Sequence, residues 1–325
     1  MSRPKVFIPR PLQPQVIERV AARCEVSVHP QDAPISFQQL ADACRDIDGL
    51  IACSVRVTQE ILDHSPRLRV VANVGVGYDN IDVAACTRRR IVVTNTPGVL
   101  TEATADLTFA LLVAAARRIV ECDRYVREGR WQSSQWQLLW GCDLASKTLG
   151  ILGLGRIGQA VARRARGFSM RILYHSVDRP TAAEERALGA QFVDRDTLLR
   201  EADFLSLHVP LTPETRHLIG RTELALMKPT AFLINAARGP VVDEAALVAA
   251  LQSKQIAGAA LDVFEREPQV HPALLAMPNV VLAPHVGSAT AETRLAMANL
   301  AVDNLLAVLD GRRPPTPVNP EVLDR

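Results

Sequence analysis

The sequence of 325 residues predicts an α/β protein with two parallel-sheet domains, and three observations support this fold class. Short apolar runs alternate with helical patterns along almost the whole chain, which is typical of parallel strands covered by helices on both faces. The length exceeds that of one hydrophobic core, so we expect two domains of roughly 100 to 200 residues each. Hydrophobic residues make up 48% of the chain, which is enough to fill two interiors.

The first hundred residues are predicted to contain five strands with helices between them. The strands fall at residues 5–8, 25–28, 49–53, 70–73 and 91–94, and the clearest helices at 13–22 and 37–44. A break at Thr96-Pro97-Gly98 follows, after which Thr101 is placed to cap a long helix. Its apolar face is predicted from the spacing of Leu107, Ala110, Leu111 and Ala114. We place the first domain crossing here, between residues 100 and 101.

The second domain begins with an apolar run over residues 147–152 that leads into a glycine-rich loop. The helix after this loop has Ile157, Ala160, Val161 and Ala165 at the spacing of one packed face. Further strands are predicted at 171–174, 204–209, 231–235, 258–263 and 280–283. A last helix over 292–309 is expected to return to the first domain. The predicted domains are therefore 1–100 with 287–325, and 101–286.

Charge and composition exclude several classes of partner. The 37 basic and 35 acidic residues leave a net charge of +2, so we predict neither a nucleic-acid nor a membrane partner. The longest apolar stretch, 107–116, is about half the roughly 20 residues that a membrane span needs. The first residues run straight into a strand without a leader-like segment, which favours a cytoplasmic protein. The six cysteines have no C-x-x-C spacing, so we expect reduced thiols and no metal site.

The loop Gly153-Leu154-Gly155-Arg156-Ile157-Gly158 lies between a predicted strand and an amphipathic helix. In that context Gly153 permits a tight turn, Gly155 lets the backbone approach a pyrophosphate, and Gly158 lets helix and strand pack closely. The helix N-terminus offers N–H groups and a positive dipole end to the phosphate. A structural turn is the alternative for an isolated G-x-G-x-x-G, but this context predicts dinucleotide binding.

The residues after the next strand bear on the choice between NADP and NAD. An acidic residue at the end of that strand holds the ribose hydroxyls of NAD. Here the chain reads Tyr174-His175-Ser176-Val177-Asp178-Arg179, with no carboxylate directly after the aromatic residue. Ser176 and Arg179 are suited to a 2′-phosphate, whereas Asp178 is close enough to turn inward to a ribose. NADP is therefore favoured, and NAD remains the alternative.

Polar residues follow successive strands at the carboxyl edge of the second sheet, where ligands bind in such folds. His285 ends one strand beside the small residues Gly287 and Ser288. A carboxylate such as Glu267 would orient its imidazole and favour the protonated form, leaving one nitrogen to donate a proton. Arg238 offers a planar fork for a 2-oxo acid. These residues predict hydride transfer to a 2-oxo acid; His29, His64, His217 and His271 are assigned no role.

Further motifs along the chain combine with the glycine loop. They are Val74-Gly75-Val76-Gly77-Tyr78-Asp79-Asn80-Ile81-Asp82, Thr101-Glu102-Ala103-Thr104-Ala105-Asp106, Val209-Pro210-Leu211-Thr212-Pro213-Glu214-Thr215, and the segments around Arg238, Glu267 and His285. With these motifs the chain resembles, over nearly its whole length, the D-2-hydroxyacid dehydrogenase family, and within it the glyoxylate/hydroxypyruvate/2-ketogluconate reductase branch. The resemblance implies a Rossmann cofactor domain inserted into a flavodoxin-like substrate domain.

The resemblance also implies an activity and the residues that perform it. A small 2-oxo acid (glyoxylate, hydroxypyruvate or 2-ketogluconate) is reduced to the D-2-hydroxy acid with NAD(P)H, and Arg238, Glu267 and His285 are catalytic. The backbone amides of Val76 and Gly77, with Arg238, hold the substrate. The implied cofactor-binding residues are Thr104, Gly153, Gly155, Arg156, Ile157, Gly158, Ser176, Arg179, Val209, Pro210, Thr215, Ala236, Asp262 and Gly287.

A homodimer is implied as well, with Trp131, Trp136 and Trp140 in the connection that the family commonly uses for its dimer arm. Two alternatives stay open at the level of sequence. Phosphoglycerate or phosphite dehydrogenase is an alternative activity within the family. A non-catalytic, nicotinamide-sensing protein similar to transcriptional corepressors is the alternative from another class.

Overall fold

The computed structural model describes residues 3–324, which form two compact units. The first unit runs to Leu100 and resumes at Ala289, and the second unit spans Thr101–Ser288. The sequence placed the second crossing between residues 286 and 287. Each unit has its own parallel sheet and its own hydrophobic core.

The sheet of the first unit has five strands, all parallel, in the order β2-β1-β3-β4-β5. This is the strand order of flavodoxin-like folds. The strands are β1 (Lys5–Ile8), β2 (Glu25–Val28), β3 (Gly49–Ala52), β4 (Val70–Asn73) and β5 (Val92–Thr94), and the helices between them are α1 (Pro14–Ala21), α2 (Phe37–Cys44), α3 (Gln59–Asp63) and α4 (Val83–Arg88).

The sheet of the second unit has seven parallel strands in the order β12-β11-β10-β9-β6-β7-β8. The order reverses between β6 and β9, which is the switch point of a Rossmann fold, and β12 adds one strand at the edge. The strands are β6 (Thr148–Leu152), β7 (Arg171–His175), β8 (Ala190–Phe192), β9 (Phe204–Leu207), β10 (Phe232–Asn235), β11 (Gly258–Leu261) and β12 (Val280–Leu282). The helices are α5 (Thr101–Ala116), α6 (Ile119–Arg127), α7 (Arg156–Gly167), α8 (Ala182–Leu188), α9 (Arg195–Glu201), α10 (Arg221–Leu226), α11 (Glu244–Gln252) and α12 (Pro272–Ala276).

The last helix, α13 (Ala291–Leu309), belongs to the core of the first unit. It begins after Thr290, whose hydroxyl accepts a hydrogen bond from the Thr293 amide at 3.1 Å. Leu305 packs directly on Gly49 of β3, where a Cβ atom would lie only 2.7 Å from the leucine Cδ1. Two short 3₁₀ turns complete the elements, at Gly239–Val241 and Pro320–Val322.

The predicted details of α5 were wrong in two respects. Thr101 is the first residue of the helix and not its cap. The buried residues include Thr104, Ala105 and Phe109, whereas Ala110, predicted to face the core, is exposed. Apolar residues surround the axis of this helix, so their spacing does not single out one face. Among the described residues, no helix combines the length and apolar character needed to span a membrane.

Candidate active site

The glycine loop between β6 and α7 lies at the switch point of the second sheet. Gly153 has φ +95°, and a Cβ there would approach the His208 carbonyl oxygen to 2.8 Å. A Cβ at Gly158 would lie 2.4 Å from the Gly153 oxygen, so helix and loop touch through backbone atoms. At Gly155 a Cβ would meet no protein atom within 4 Å, which leaves this backbone open to a ligand.

The N-terminus of α7 has the properties of an anion site. Gly155 precedes the first helical residue, and no side chain caps the helix. The first N–H groups of this 12-residue helix, beginning at Arg156 and Ile157, therefore carry the positive end of the dipole without a side-chain acceptor. The site fits the pyrophosphate of a dinucleotide.

Arg179 follows the end of β7 and is held by two neighbours. Its Nη2 donates to Glu185 Oε1 at 2.9 Å, and its guanidinium lies 4.2 Å from the centre of the Phe192 ring. Glu185 also accepts a hydrogen bond from the Tyr174 hydroxyl, and the bonds from Tyr174 and Arg179 hold the pKa of Glu185 below its usual value. Arg179 is thus a fixed positive charge near the end of the strand.

His175 and its neighbours occupy the position where NAD-binding folds carry their carboxylate. The Nδ1 of His175 donates to the Val193 carbonyl at 3.0 Å, because a carbonyl oxygen can only accept. Its ring stacks on Phe192. Ser176 is half-buried, whereas Asp178 is exposed.

The loop after β9 contains His208 and Thr215. The Nε2 of His208 lies 2.8 Å from the Ser206 hydroxyl, and burial lowers the pKa of His208 to about 4, so this imidazole is neutral at pH 7. The Thr215 hydroxyl donates to the Pro210 carbonyl at 2.6 Å and accepts from the Thr212 amide at 2.8 Å. The Thr215 hydroxyl thus closes the 210–215 turn.

Arg238 lies in a loop that buried Asn235 shapes. The Asn235 side chain donates to the Arg238 carbonyl at 2.9 Å and accepts from the Ala237 amide at 3.0 Å. Next to Arg238, a Cβ at Gly239 would lie 1.9 Å from the backbone of Phe264. The loops after β10 and β11 are therefore in backbone contact, and only glycine fits at the contact.

Glu267 and His285 form the central pair of the site. His285 Nδ1 lies 2.7 Å from Glu267 Oε2, and the Phe264 amide donates to Glu267 Oε1 at 3.0 Å. Burial acts to raise the pKa of Glu267, but the His285 and Phe264 hydrogen bonds and the charge of Arg238 hold it below its usual value. An ionised carboxylate only accepts, so Nδ1 carries a proton and Nε2 is left for a ligand. The His285 side chain is 50% exposed.

Asp262 fixes the backbone that carries His285. It is 1% exposed, and its two carboxylate oxygens accept from the amides of Val286 and Gly287, both at 2.8 Å. Burial raises the pKa of Asp262, although these two bonds oppose the shift. His285 has a left-handed φ of +55° and donates its amide to the Asp262 carbonyl. A Cβ at Gly287 would lie 3.4 Å from the Thr104 side chain of α5. Thr104, a predicted cofactor-binding residue, therefore lies beside the backbone that Asp262 holds.

His217, for which the sequence predicts no role, belongs to a second histidine–glutamate pair. Its Nε2 lies 2.9 Å from Glu265 Oε1, and Glu265 Oε2 accepts from the Glu244 amide at 3.2 Å. The pair ties the loop after β9 to the loop after β11. The two partners are 48 residues apart, and no local motif connects them.

Val76 and Gly77, the predicted substrate-binding residues, follow β4 in the first unit and are half-buried. Within residues 3–324 neither backbone N–H donates to a protein acceptor. In the same range, no group of three or more His, Cys, Asp or Glu side chains is arranged to hold a metal ion.

A parallel sheet with a glycine loop at its switch point, next to a glutamate-bound histidine and an arginine, defines a nicotinamide-dependent dehydrogenase. Comparison with known proteins supports this class of enzyme. The family described as D-isomer specific 2-hydroxyacid dehydrogenase, NAD binding domain, matches residues 109–287. The glyoxylate reductases of Thermococcus litoralis and Thermococcus kodakarensis are 51% and 52% identical, each over 99% of this chain and 98% of the relative.

Solved structures give the same result. A Thermus thermophilus protein superposes with a TM-score of 0.90 at 46% identity, over 97% of this chain and 99% of the other. The NADPH-dependent glyoxylate/hydroxypyruvate reductase of Sinorhizobium meliloti gives 0.87 at 40% identity, over 98% and 97%. The chain belongs to the D-isomer specific 2-hydroxyacid dehydrogenase family. It is an NAD(P)-dependent enzyme that reduces 2-oxo acids, and the predicted family and fold class are confirmed.

Proposed function

We propose that the enzyme reduces a small 2-oxo acid (glyoxylate, hydroxypyruvate or 2-ketogluconate) to the D-2-hydroxy acid, with NADPH as the preferred reductant. The observation that carries the proposal is the bond between Glu267 and His285 Nδ1, which leaves Nε2 for the substrate. The two Thermococcus relatives, in which about half of the aligned residues are identical to those of this chain, are glyoxylate reductases. The Sinorhizobium meliloti relative acts on glyoxylate and hydroxypyruvate.

In the proposed mechanism the chain handles the proton and the charge. The nicotinamide nucleotide, held along residues 153–158, supplies the hydride. The Nε2–H of His285 donates a proton to the carbonyl oxygen of the substrate, while Glu267 stabilises the imidazolium through Nδ1. Arg238 binds the carboxylate and carbonyl oxygens with its planar fork, and so stabilises negative charge that develops on the carbonyl.

The backbone amides of Val76 and Gly77 bind the carboxylate of the substrate. Their N–H groups have no protein acceptor within the described chain, and two adjacent amides form a suitable anion site. Around the nucleotide, Asp262 acts by holding the 285–287 backbone. The remaining predicted cofactor contacts stay predictions: Thr104, Val209, Pro210, Thr215, Ala236 and Gly287.

Preference for NADPH rests on Ser176 and Arg179. No carboxylate directly follows Tyr174, and the fixed charge of Arg179 is available to a 2′-phosphate on the side not bound to Glu185. The Sinorhizobium meliloti relative was solved with NADP and malonate.

A substrate panel tests the proposed function. The purified enzyme is assayed for reduction of glyoxylate, hydroxypyruvate, 2-ketogluconate and 3-phosphohydroxypyruvate, each with NADPH and NADH. Oxidation of phosphite is assayed with NADP+ and NAD+. We expect the highest kcat/KM for glyoxylate with NADPH. A higher value for 3-phosphohydroxypyruvate or phosphite would replace the proposal with the corresponding dehydrogenase.

The enzyme is further proposed to be a cytoplasmic homodimer. The six cysteines are free thiols, as in a reducing compartment. Exposed apolar side chains cluster along α6 and the segment after it, which is unusual for a surface that stays in water. They are Ile119, Val120, Val126, Trp131, Trp136 and Trp140.

A further inference from the structure

The loop after β4 is held from behind by a buried asparagine. Asn73 ends β4, and its side-chain Nδ2 donates to the Gly75 carbonyl at 3.2 Å and to the Gly77 carbonyl at 2.9 Å. One amide group therefore bridges the first and last carbonyls of the 75–77 segment.

The neighbouring strand supplies two more donors to the same segment. Asn95, just after β5, donates its Nδ2 to the Val76 carbonyl at 2.8 Å. The backbone amide of Thr96 donates to the Gly75 carbonyl at 2.9 Å. All three carbonyls of residues 75–77 thus accept hydrogen bonds from the body of the first unit.

These bonds fix the directions of two N–H groups. In a planar trans peptide, the carbonyl of one residue and the N–H of the next point in opposite directions. A Gly75 carbonyl held by Asn73 turns the Val76 N–H away from that asparagine, and a Val76 carbonyl held by Asn95 does the same for the Gly77 N–H. Neither of these two amides donates to a protein acceptor within residues 3–324.

Asn95 is itself anchored by the C-terminal part of the chain. Its carbonyl accepts from the Thr316 hydroxyl at 2.6 Å, and its amide donates to the Thr316 carbonyl at 3.3 Å. Asn304 of α13, fully buried, accepts from the Thr316 amide at 2.9 Å and donates to its hydroxyl at 2.8 Å. The position of the Asn95 side chain therefore depends on the segment that follows α13.

We infer that Asn73 and Asn95 are positioning residues for the substrate carboxylate, and that Thr316 supports Asn95 in this role. Neither asparagine touches the substrate; each orients an amide that does. The inference rests on the proposed function, in which Val76 and Gly77 bind the carboxylate.

The test separates substrate binding from turnover in the full-length enzyme. In N73A and N95A the amides lose their fixed direction, so we expect KM for glyoxylate to rise about 10- to 100-fold, as for a lost bond to a charged group. The kcat should change little, because the amides bind ground state and transition state alike. The smaller change T316V should raise KM about 3-fold, as expected for a residue that acts through Asn95.

Asn319 provides the matched control. It is buried in the first unit, like Asn73. Its side chain accepts from the Val93 amide at 2.8 Å and donates to the Ile91 carbonyl at 2.9 Å, away from the 75–77 segment. In N319A we expect a lower melting temperature with an unchanged KM. If N95A and N73A raise KM no more than N319A does, or lower kcat at constant KM, the inference is wrong.

Binding of oxamate, an unreactive carboxylate analogue, separates this inference from the proposed function. Calorimetry with NADPH present gives the dissociation constant of oxamate for wild type, N73A, N95A and N319A whether or not glyoxylate turns over. We expect weaker oxamate binding in N73A and N95A only. If the wild type does not turn over glyoxylate, the proposed substrate is refuted and the positioning role is not. If all four proteins bind oxamate with equal affinity, the positioning role is refuted and the proposed substrate is not.

Discussion

His285 combines an exposed ring with a constrained backbone. Its φ of +55° is uncommon for a residue with a side chain, and strain of this kind persists only where the surroundings impose it. Asp262 imposes it through the amides of the two following residues, while Glu267 fixes the ring. Backbone and side chain are thus fixed by separate carboxylates, and Nε2 is the one ring atom left for chemistry.

Replacement of His285 by alanine removes the proposed proton donor. We expect kcat for glyoxylate reduction to fall at least about 10²-fold, as for loss of a general acid, while the dissociation constant of NADPH changes less than about 2-fold. Steady-state kinetics and fluorescence titration measure the two quantities. His64→Ala, at an exposed histidine of the first unit, is the control. Near-native turnover of the His285 variant would exclude the role of general acid.

Glu267→Gln keeps the shape of the side chain but removes its charge. The pKa of Glu267 lies below its usual value, so the wild-type carboxylate is charged at neutral pH and stabilises the imidazolium. In the variant we expect kcat/KM for glyoxylate reduction to fall about 10-fold or more, because a neutral amide does not stabilise the imidazolium as a carboxylate does. Glu265→Gln, at a glutamate bonded to His217 instead, should keep kcat/KM near the wild-type value. Equal kcat/KM for wild type and Glu267→Gln would contradict the assignment.

Arg179→Ala tests the basis of cofactor preference. Loss of its charge should lower kcat/KM for NADPH about 10-fold or more and leave the value for NADH nearly unchanged, because only NADPH carries the 2′-phosphate. Arg171→Ala, at the opposite end of β7 and paired with Glu201, is the control. A wild-type preference for NADH would assign the preference to NAD. Equal losses with both nucleotides in Arg179→Ala would show that Arg179 does not select the 2′-phosphate.

At the scale of elements, the glycine loop allows a prediction with matched variants. A Cβ at Gly158 would collide with the Gly153 carbonyl, so Gly158→Ala should lower the free energy of unfolding by about 1–3 kcal/mol. A Cβ at Gly155 meets no protein atom, so Gly155→Ala should keep the melting temperature but weaken NADPH binding. Gly167→Ala, at the other end of α7 and also in open space, should do neither. A fully folded Gly155→Ala protein with native NADPH affinity would show that no pyrophosphate contacts this backbone.

The elements also explain which parts of the fold the sequence predicted. The apolar strands of both sheets were located to within about two residues, because strands buried on both faces read as continuous apolar runs. The edge strand β8 was missed, since it has three residues and none of them is fully buried. The short helices α3, α4, α6 and α8 to α12 were not predicted either, because five to nine residues give too few turns for a clear helical period.

Some residues of the active site could also be predicted from the sequence, and others could not. The glycine loop and the Arg238, Glu267 and His285 segments lie within local motifs, and the sequence pointed to them directly. Asn235, Asn73 and Asn95 act through bonds to backbone carbonyls and amides, which leave no residue pattern. Two further contacts join loops that are far apart in the chain: the bonds from Asp262 to the 286–287 amides, and the pair of His217 with Glu265. Only the fold brings these partners together.

At the scale of the whole molecule, the exposed apolar surface of the second unit leads to a prediction about assembly. Trp136 is 89% exposed, and Trp131, Trp140 and Val126 lie on the same connected segment. A surface of this kind is stable in water when a second copy covers it, because association removes its apolar area from solvent. Sedimentation equilibrium should therefore give twice the 35.5 kDa mass of the chain for the wild type. The double variant Val126→Asp, Trp136→Ser should sediment as a single chain, whereas Leu275→Ser, at an exposed leucine of α12, should remain dimeric. If the double variant keeps the mass of two chains, the dimer interface lies on another face of the protein.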